Sequence, residues 1–122
     1  MLRLNNQTEQ DGRVAILKLS GRLDASTVKQ LQEVLDSAAV AKAQTLVVVM
    51  DELSYVSSSG LRALLLARTA AGRRNGDVIL AALSQPVREV FDMVGFSAVF
   101  SIFDTVDQAR VYAQGASNSP II

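Results

Sequence analysis

Cysteine and histidine are both absent from this chain. Without them there is no disulfide, no zinc site of the usual Cys or His kind, and no Ser-His-Asp or Cys-His nucleophile. A carboxylate-only metal site would need an acidic cluster at suitable spacing, and the sequence offers none. Aromatic residues make up only 5% of the chain, so a core has to be built from Leu, Val, Ile and Ala. Neither sign of charge is in excess, Lys plus Arg and Asp plus Glu each numbering 12. That balance argues against nucleic acid or an anionic membrane as the main partner, because both call for a basic surface. No apolar run reaches about 18 residues, the length that spans a bilayer. Residues 1–6 also lack the basic and then apolar order of a secretory leader. The expectation is a soluble cytoplasmic protein without membrane segments, with which the lack of cysteine agrees.

Of the 122 residues, 49% are hydrophobic and 20% charged, enough apolar material for one folded domain. Residues 2–8 read as a strand, and Asp11-Gly12 as the hairpin turn before a clearer strand over 14–20. Gly21-Arg22-Leu23-Asp24 is expected to break that strand. A helix follows over 26–41, with Val28, Leu31, Leu35 and Ala38 at helical spacing and Asp24 or Ser26 as its cap. The β-branched run 45–50 predicts a central strand covered on both faces. A helix over 58–74 closes at Asn75-Gly76, and 78–82 is another buried strand. Pro86 opens a helix that runs to Val94 and stops at Gly95. Residues 97–103 read as a strand and 105–114 as a last helix. The order predicts an α/β domain over 1–114, its mixed sheet mostly parallel with an N-terminal antiparallel hairpin, with four helices. From Gly115 to the end, 115–122, a loose tail is expected.

The most unusual local sequence is Tyr55-Val56-Ser57-Ser58-Ser59-Gly60-Leu61-Arg62, directly after the central strand. The first backbone N–H groups of a helix lack intrahelical partners, and the dipole there favours negative charge. A phosphate on a serine at that point would gain donors and a favourable field. Serine is also a preferred N-cap, so the same residue type serves as a cap without any modification. Gly60 is expected to allow close backbone approach and to leave room for a partner. On the helix that follows, Leu61, Leu64, Ala67 and Ala71 share the side suited to the sheet. Arg62, Leu66, Thr69 and Arg73 fall opposite, which predicts an exposed Leu66 flanked by arginines, a pattern suited to a partner-binding face. An isolated exposed leucine is equally ordinary on any surface.

The run 55–62 resembles the signature of STAS domains, named for sulphate transporters and anti-sigma factor antagonists, and in particular the small single-domain antagonists. Gly21-Arg22-Leu23-Asp24 is similar to the family's loop between second strand and first helix, and 45–50 to its central strand. Met93-Val94-Gly95-Phe96-Ser97-Ala98-Val99-Phe100, with Ile102 and Phe103, resembles its last helix-to-strand segment. Together these cover roughly residues 10–112. The resemblance implies a mixed sheet with helices mainly on one face. It also implies a partner switch: the unphosphorylated protein binds an anti-sigma factor that is typically a serine kinase, and phosphorylation releases it. A serine phosphatase of the metal-dependent PP2C type restores the first state. ATP and metal would belong to those partners, and the chain itself would need no cofactor. Matching Gly60-Leu61 to the family's Gly-Leu places the acceptor at Ser58, with Ser57 and Ser59 as alternatives, and sets Asp24 beside it. The expected partner-binding residues are Asp24, Ser57, Ser58, Ser59, Gly60, Arg62 and Leu66. Two positions depart from many members: Ser57 stands where they have aspartate, and Val49-Met50-Asp51 where they have Asp-Leu-Ser.

Phosphate at Ser58 would add about −1.5 to −2 charge at the middle of a partner's contact, which is costly to bury without a cation. An enzyme has little to stand on. Ser26-Thr27-Val28-Lys29 matches Ser-x-x-Lys only loosely and lacks its companion motifs, and 57–60 is no Gly-x-Ser-x-Gly elbow. The rival is a scaffold subunit of a lipid-transport or sensory complex that never cycles through phosphate. The cytoplasmic part of an anion transporter would require membrane spans. Balanced charge and the absence of heptads favour a monomer.

Overall fold

The computed structural model describes residues 1–118. Strands β1 (Leu2–Glu9), β2 (Val14–Leu23), β3 (Thr45–Val56), β4 (Asp77–Ala81) and β5 (Ile102–Phe103) form one sheet in that spatial order. β1 is antiparallel to β2, and every later neighbour is parallel. Helices α1 (Val28–Asp36), α2 (Ala38–Ala41), α3 (Ser58–Arg73), α4 (Gln85–Met93) and α5 (Val106–Asn118) provide the connections and the cover.

Alternation along the central strands sorts their side chains into two cores. Leu46, Val48 and Met50 of β3 join Ala15, Leu17 and Leu19 of β2 beneath Leu31, Leu64, Val87 and Phe91 of α1, α3 and α4. Val47 and Val49 face the other way, with Val14, Ile16, Ile79 and Ala81, under Ala109 and Ala113 of α5. Helices therefore lie mainly on one face, with α5 alone on the other. β3 is covered on both faces, as its unbroken apolar run predicts.

Five sequence expectations change. β2 does not stop at Ser20 but runs to Leu23, with register shifts between Lys18 and Ser20 and between Gly21 and Arg22. Gly21 has φ +98°, and a methyl group there would collide with the Met1 carbonyl, which accepts from the Arg22 amide at 3.0 Å. The glycine is a bulge inside a strand, not its end. β3 likewise extends past Met50 to Val56, because Leu23 and Tyr55–Val56 complete each other's backbone bonding.

The single helix expected over 26–41 is two. Ser37 is extended (φ −63°, ψ 150°), and its hydroxyl donates to the Val34 carbonyl at 2.6 Å, a local bond that competes with continuing the helix. Among the described residues there are therefore five α-helices, not four.

Residues 97–103 are not one strand. Gly95 turns the chain at φ +80°, Phe96–Ala98 form a short 3-10 turn, and only Ile102–Phe103 pair with β4. The reason is aromatic packing: Phe91, Phe96 and Phe100 gather with ring centroids 5.9–6.1 Å apart, which needs a coiled rather than extended path. Finally, α5 continues through Gly115 to Asn118, where a tail was expected. The rest of that expected tail, 119–122, lies outside the described residues.

Candidate functional site

Parallel strands deliver their C-terminal ends to one edge of the sheet, and there β3 turns directly into α3. Ser57 sits at the turn in extended conformation and caps the helix: its hydroxyl accepts from the Gly60 amide at 3.3 Å. Its own amide donates to the Leu23 carbonyl at 2.8 Å, which ties the helix entry to the end of β2. The hydroxyls of Ser57 and Ser59 share a hydrogen bond at 2.8 Å. Ser58, the first helical residue, is exposed. Among the described residues its hydroxyl makes no hydrogen bond, and the amides of Ser58 and Ser59 donate to none. The cap and the free hydroxyl therefore belong to different serines.

Gly60 is buried, and the close approach expected of it is made inside the chain. A methyl group there would lie 2.7 Å from Leu23 Cγ, 2.9 Å from Leu23 Cδ2 and 3.1 Å from Val56 Cγ2. Its lack of a side chain lets α3 rest on β2 from beneath. Arg62 and Leu66 are exposed, Leu66 by 52%. Leu66 stands on the rim of a groove of about 380 Å³ between α1–α2 and α3, whose walls include Leu35, Val40, Ala67 and Val78. That groove depends on how two helices sit side by side and has no signal in the sequence.

Asp24 lies next in chain to Leu23 but bonds to none of the three serines among the described residues. Its carboxylate accepts from the Ser26 amide at 3.0 Å, the Ser26 hydroxyl at 2.7 Å and the Thr27 hydroxyl at 3.2 Å. Arg22 stands 3.6 Å away. The Ser26 hydroxyl above all holds the Asp24 carboxyl below its ordinary pKa, with the Ser26 amide, Thr27 and Arg22 adding to it against partial desolvation. Neither Asp24 nor Ser26 caps α1; the N-cap is Thr27. Thr27 escaped the sequence reading. It is buried and accepts from the Asp24 amide at 2.9 Å, while its single hydroxyl proton is shared between the Arg22 carbonyl at 2.9 Å and the more distant Asp24 carboxylate. The Asp-x-x-Thr spacing was the available signal. Arg22 also lies 4.3 Å over the Tyr55 ring, which joins the ends of β2 and β3 at the site. Asp51, two residues after Val49, lies on the same side of the sheet as Val49. It faces the α5 side of the sheet with Lys18, 3.7 Å away.

Among the described residues no group of three or more acidic side chains is placed to hold a metal, and no helix is long and apolar enough to cross a membrane. The arrangement offers a free hydroxyl on a helix N-terminus, amides ready for an anion, and an exposed stripe alongside.

The STAS domain family model matches residues 5–109. The chain belongs to the STAS family. Among its relatives is BtrV of Bordetella bronchiseptica, assigned as an anti-sigma factor antagonist, 34% identical over 92 residues that cover 75% of this chain and 78% of BtrV. The STAS fold is also that of an anti-sigma factor antagonist from Mycobacterium paratuberculosis, with TM-score 0.82, 18% identity, and 93% and 95% of the two chains covered. SpoIIAA, another anti-sigma factor antagonist, has been solved in its unphosphorylated form (TM-score 0.78, 23% identity, 93% and 97% covered). The Bacillus SpoIIAA has also been solved in its phosphorylated form (0.70, 22%, 90% and 98%). At these identities the structures establish a shared fold.

Proposed function

We propose that this chain is an anti-sigma factor antagonist that works by partner switching on Ser58. Unphosphorylated, it binds an anti-sigma factor that is also a serine kinase. The kinase transfers the γ-phosphoryl group of its own ATP to the Ser58 hydroxyl, ADP leaves, and the hydroxyl proton passes to the kinase. The new charge, about −1.5 to −2, then stands at the centre of the contact and the complex separates. A PP2C-type phosphatase uses water to hydrolyse the ester, releasing inorganic phosphate and restoring the hydroxyl. The contact surface in this reading is the exposed Ser58 with Ser57, Ser59, Asp24, Arg62 and Leu66, while Gly60 supports it from below. The protein acts in the cytoplasm as a monomer and is a regulator, not an enzyme.

One observation carries this reading. Of the three serines, Ser58 alone combines exposure with a hydroxyl free of hydrogen bonds among the described residues, and it sits where the helix dipole favours an anion. Ser57 and Ser59 are engaged with each other, which is why they rank behind it as acceptors. The family membership and the names of its relatives support the antagonist role.

The test is intact mass and phosphosite mapping of the protein purified from its own host, with and without phosphatase inhibition. The expected result is a species heavier by one phosphate, mapped to Ser58 and missing in Ser58→Ala. Protein that is unmodified in every growth condition yet still bound to one partner would favour a non-cycling scaffold subunit.

A further inference from the structure

The first turn of α3 contains no acidic residue, although that is where a helix gains most from negative charge. One turn on stands Arg62, exposed, with no ion pair, ring contact or side-chain hydrogen bond among the described residues. A lone cation beside a helix N-terminus is mildly unfavourable. Other arginines around it are engaged: Arg22 with Asp24 and Tyr55, Arg68 with Asp77 and the Phe100 ring. Residues four apart on a helix share a face, and helical side chains lean toward the N-terminus. Arg62 therefore leans back over the turn that begins with Ser58. The amides of Ser58 and Ser59 are unused at the same spot.

We propose that Arg62 is the internal counter-charge for phosphorylated Ser58: the phosphate draws the guanidinium back over the helix start and takes it away from the exposed stripe it shares with Leu66. This rests on the reading of Ser58 as the acceptor. The modified protein keeps α3 intact and more firmly closed at its first turn. The partner then loses a cation as well as meeting an anion. Arg62 acts as a positioning residue, suited to the part because its planar fork can take two phosphate oxygens at once.

The test is a cycle of four proteins with Ser58 either unmodified or replaced by phosphoserine at a reassigned codon, each with Arg62 or with Arg62→Gln. No kinase is needed, so the result is independent of whether the host phosphorylates Ser58. At low salt, phosphoserine raises the melting temperature of the Arg62 protein by about 4 °C, and about half of that gain disappears with Arg62→Gln. Arg73→Gln, which removes the same charge from the far end of the helix, leaves the gain whole. The Arg62 side-chain Nε–H resonance shifts on phosphorylation and returns as salt is added. A gain of equal size in the Arg62→Gln protein, or an Arg62 resonance that does not move, overturns the proposal while leaving the acceptor assignment standing. A host protein never phosphorylated at Ser58 would instead remove the functional reading and leave the coupling measurement valid.

Discussion

The hydroxyls of Ser57 and Ser59 are bonded to each other at 2.8 Å, and the residue between them is left free. The first helical turn rotates Ser58 away from that pair, so three adjacent serines divide into one cap, one brace and one exposed hydroxyl. This division gives stability and modification to different side chains, and the two can be separated by mutation.

Ser57→Ala removes the cap on the Gly60 amide and should destabilise the fold by about 1 kcal/mol. Ser58→Ala removes no bond and should leave stability within about 0.5 kcal/mol. Urea titrations of the two variants check this, and a Ser58→Ala protein as unstable as Ser57→Ala would contradict the assignment of the cap.

Replacing Gly60 by alanine is expected to go against helix propensity. An alanine in a helix interior normally gains up to about 1 kcal/mol over glycine. Here the added methyl would fall 2.7 Å from Cγ of the fully buried Leu23, so that side chain or α3 has to shift. A net loss of about 1–2 kcal/mol follows. A Gly60→Ala protein that melts higher than the wild type would show that α3 can lift off β2 without cost.

Asp24 carries a pH dependence whose sign is set by its bonds. Its pKa in the folded protein is below the ordinary carboxylate value, held there first by the Ser26 hydroxyl. Such a group contributes stability that is fully present above the unfolded-state pKa and is lost as pH falls through the lower folded one. Asp24→Asn should therefore melt below the wild type at neutral pH, and the two curves should converge in strong acid. An equal gap between them at both extremes would mean that the Ser26 and Thr27 bonds do not depend on the carboxylate's charge.

Leu66 is exposed by 52% and supports no core. Leu66→Ala should change stability by no more than about 0.5 kcal/mol yet weaken capture of the host partner about tenfold, as loss of an apolar contact at an interface does. Unchanged co-purification with the partner would place the contact elsewhere on the surface.

Much of the fold was legible from pattern. Thr45–Met50 read as a strand covered on both faces, and Leu61, Leu64, Ala67 and Ala71 as the side of α3 suited to the sheet. What stayed hidden depended on partners distant in sequence. Gly21 looked like a terminator, because a glycine in isolation reads as a break; only β1 and β3 on either side make it a bulge. The run 97–103 has strand-like composition, yet the ring of Phe91 claims Phe96 and Phe100 for the core and bends the chain. Gly60 signals close backbone approach, but the side chain that needs the space, Leu23, arrives from another strand.

The sequence by itself determined the order of strands and helices, through hydrophobic period and turn residues, and the position of three serines at a helix start. Those are local properties, set within a few residues of chain. Which serine is free, why Gly60 has no side chain, where β2 and β3 end and what groove lies beside Leu66 were decided only by the tertiary structure. The free serine follows from the way the first turn of α3 is set on the end of β3; the others depend on hydrogen bonds or packing between segments far apart in the chain, which exist only once the sheet has brought them together.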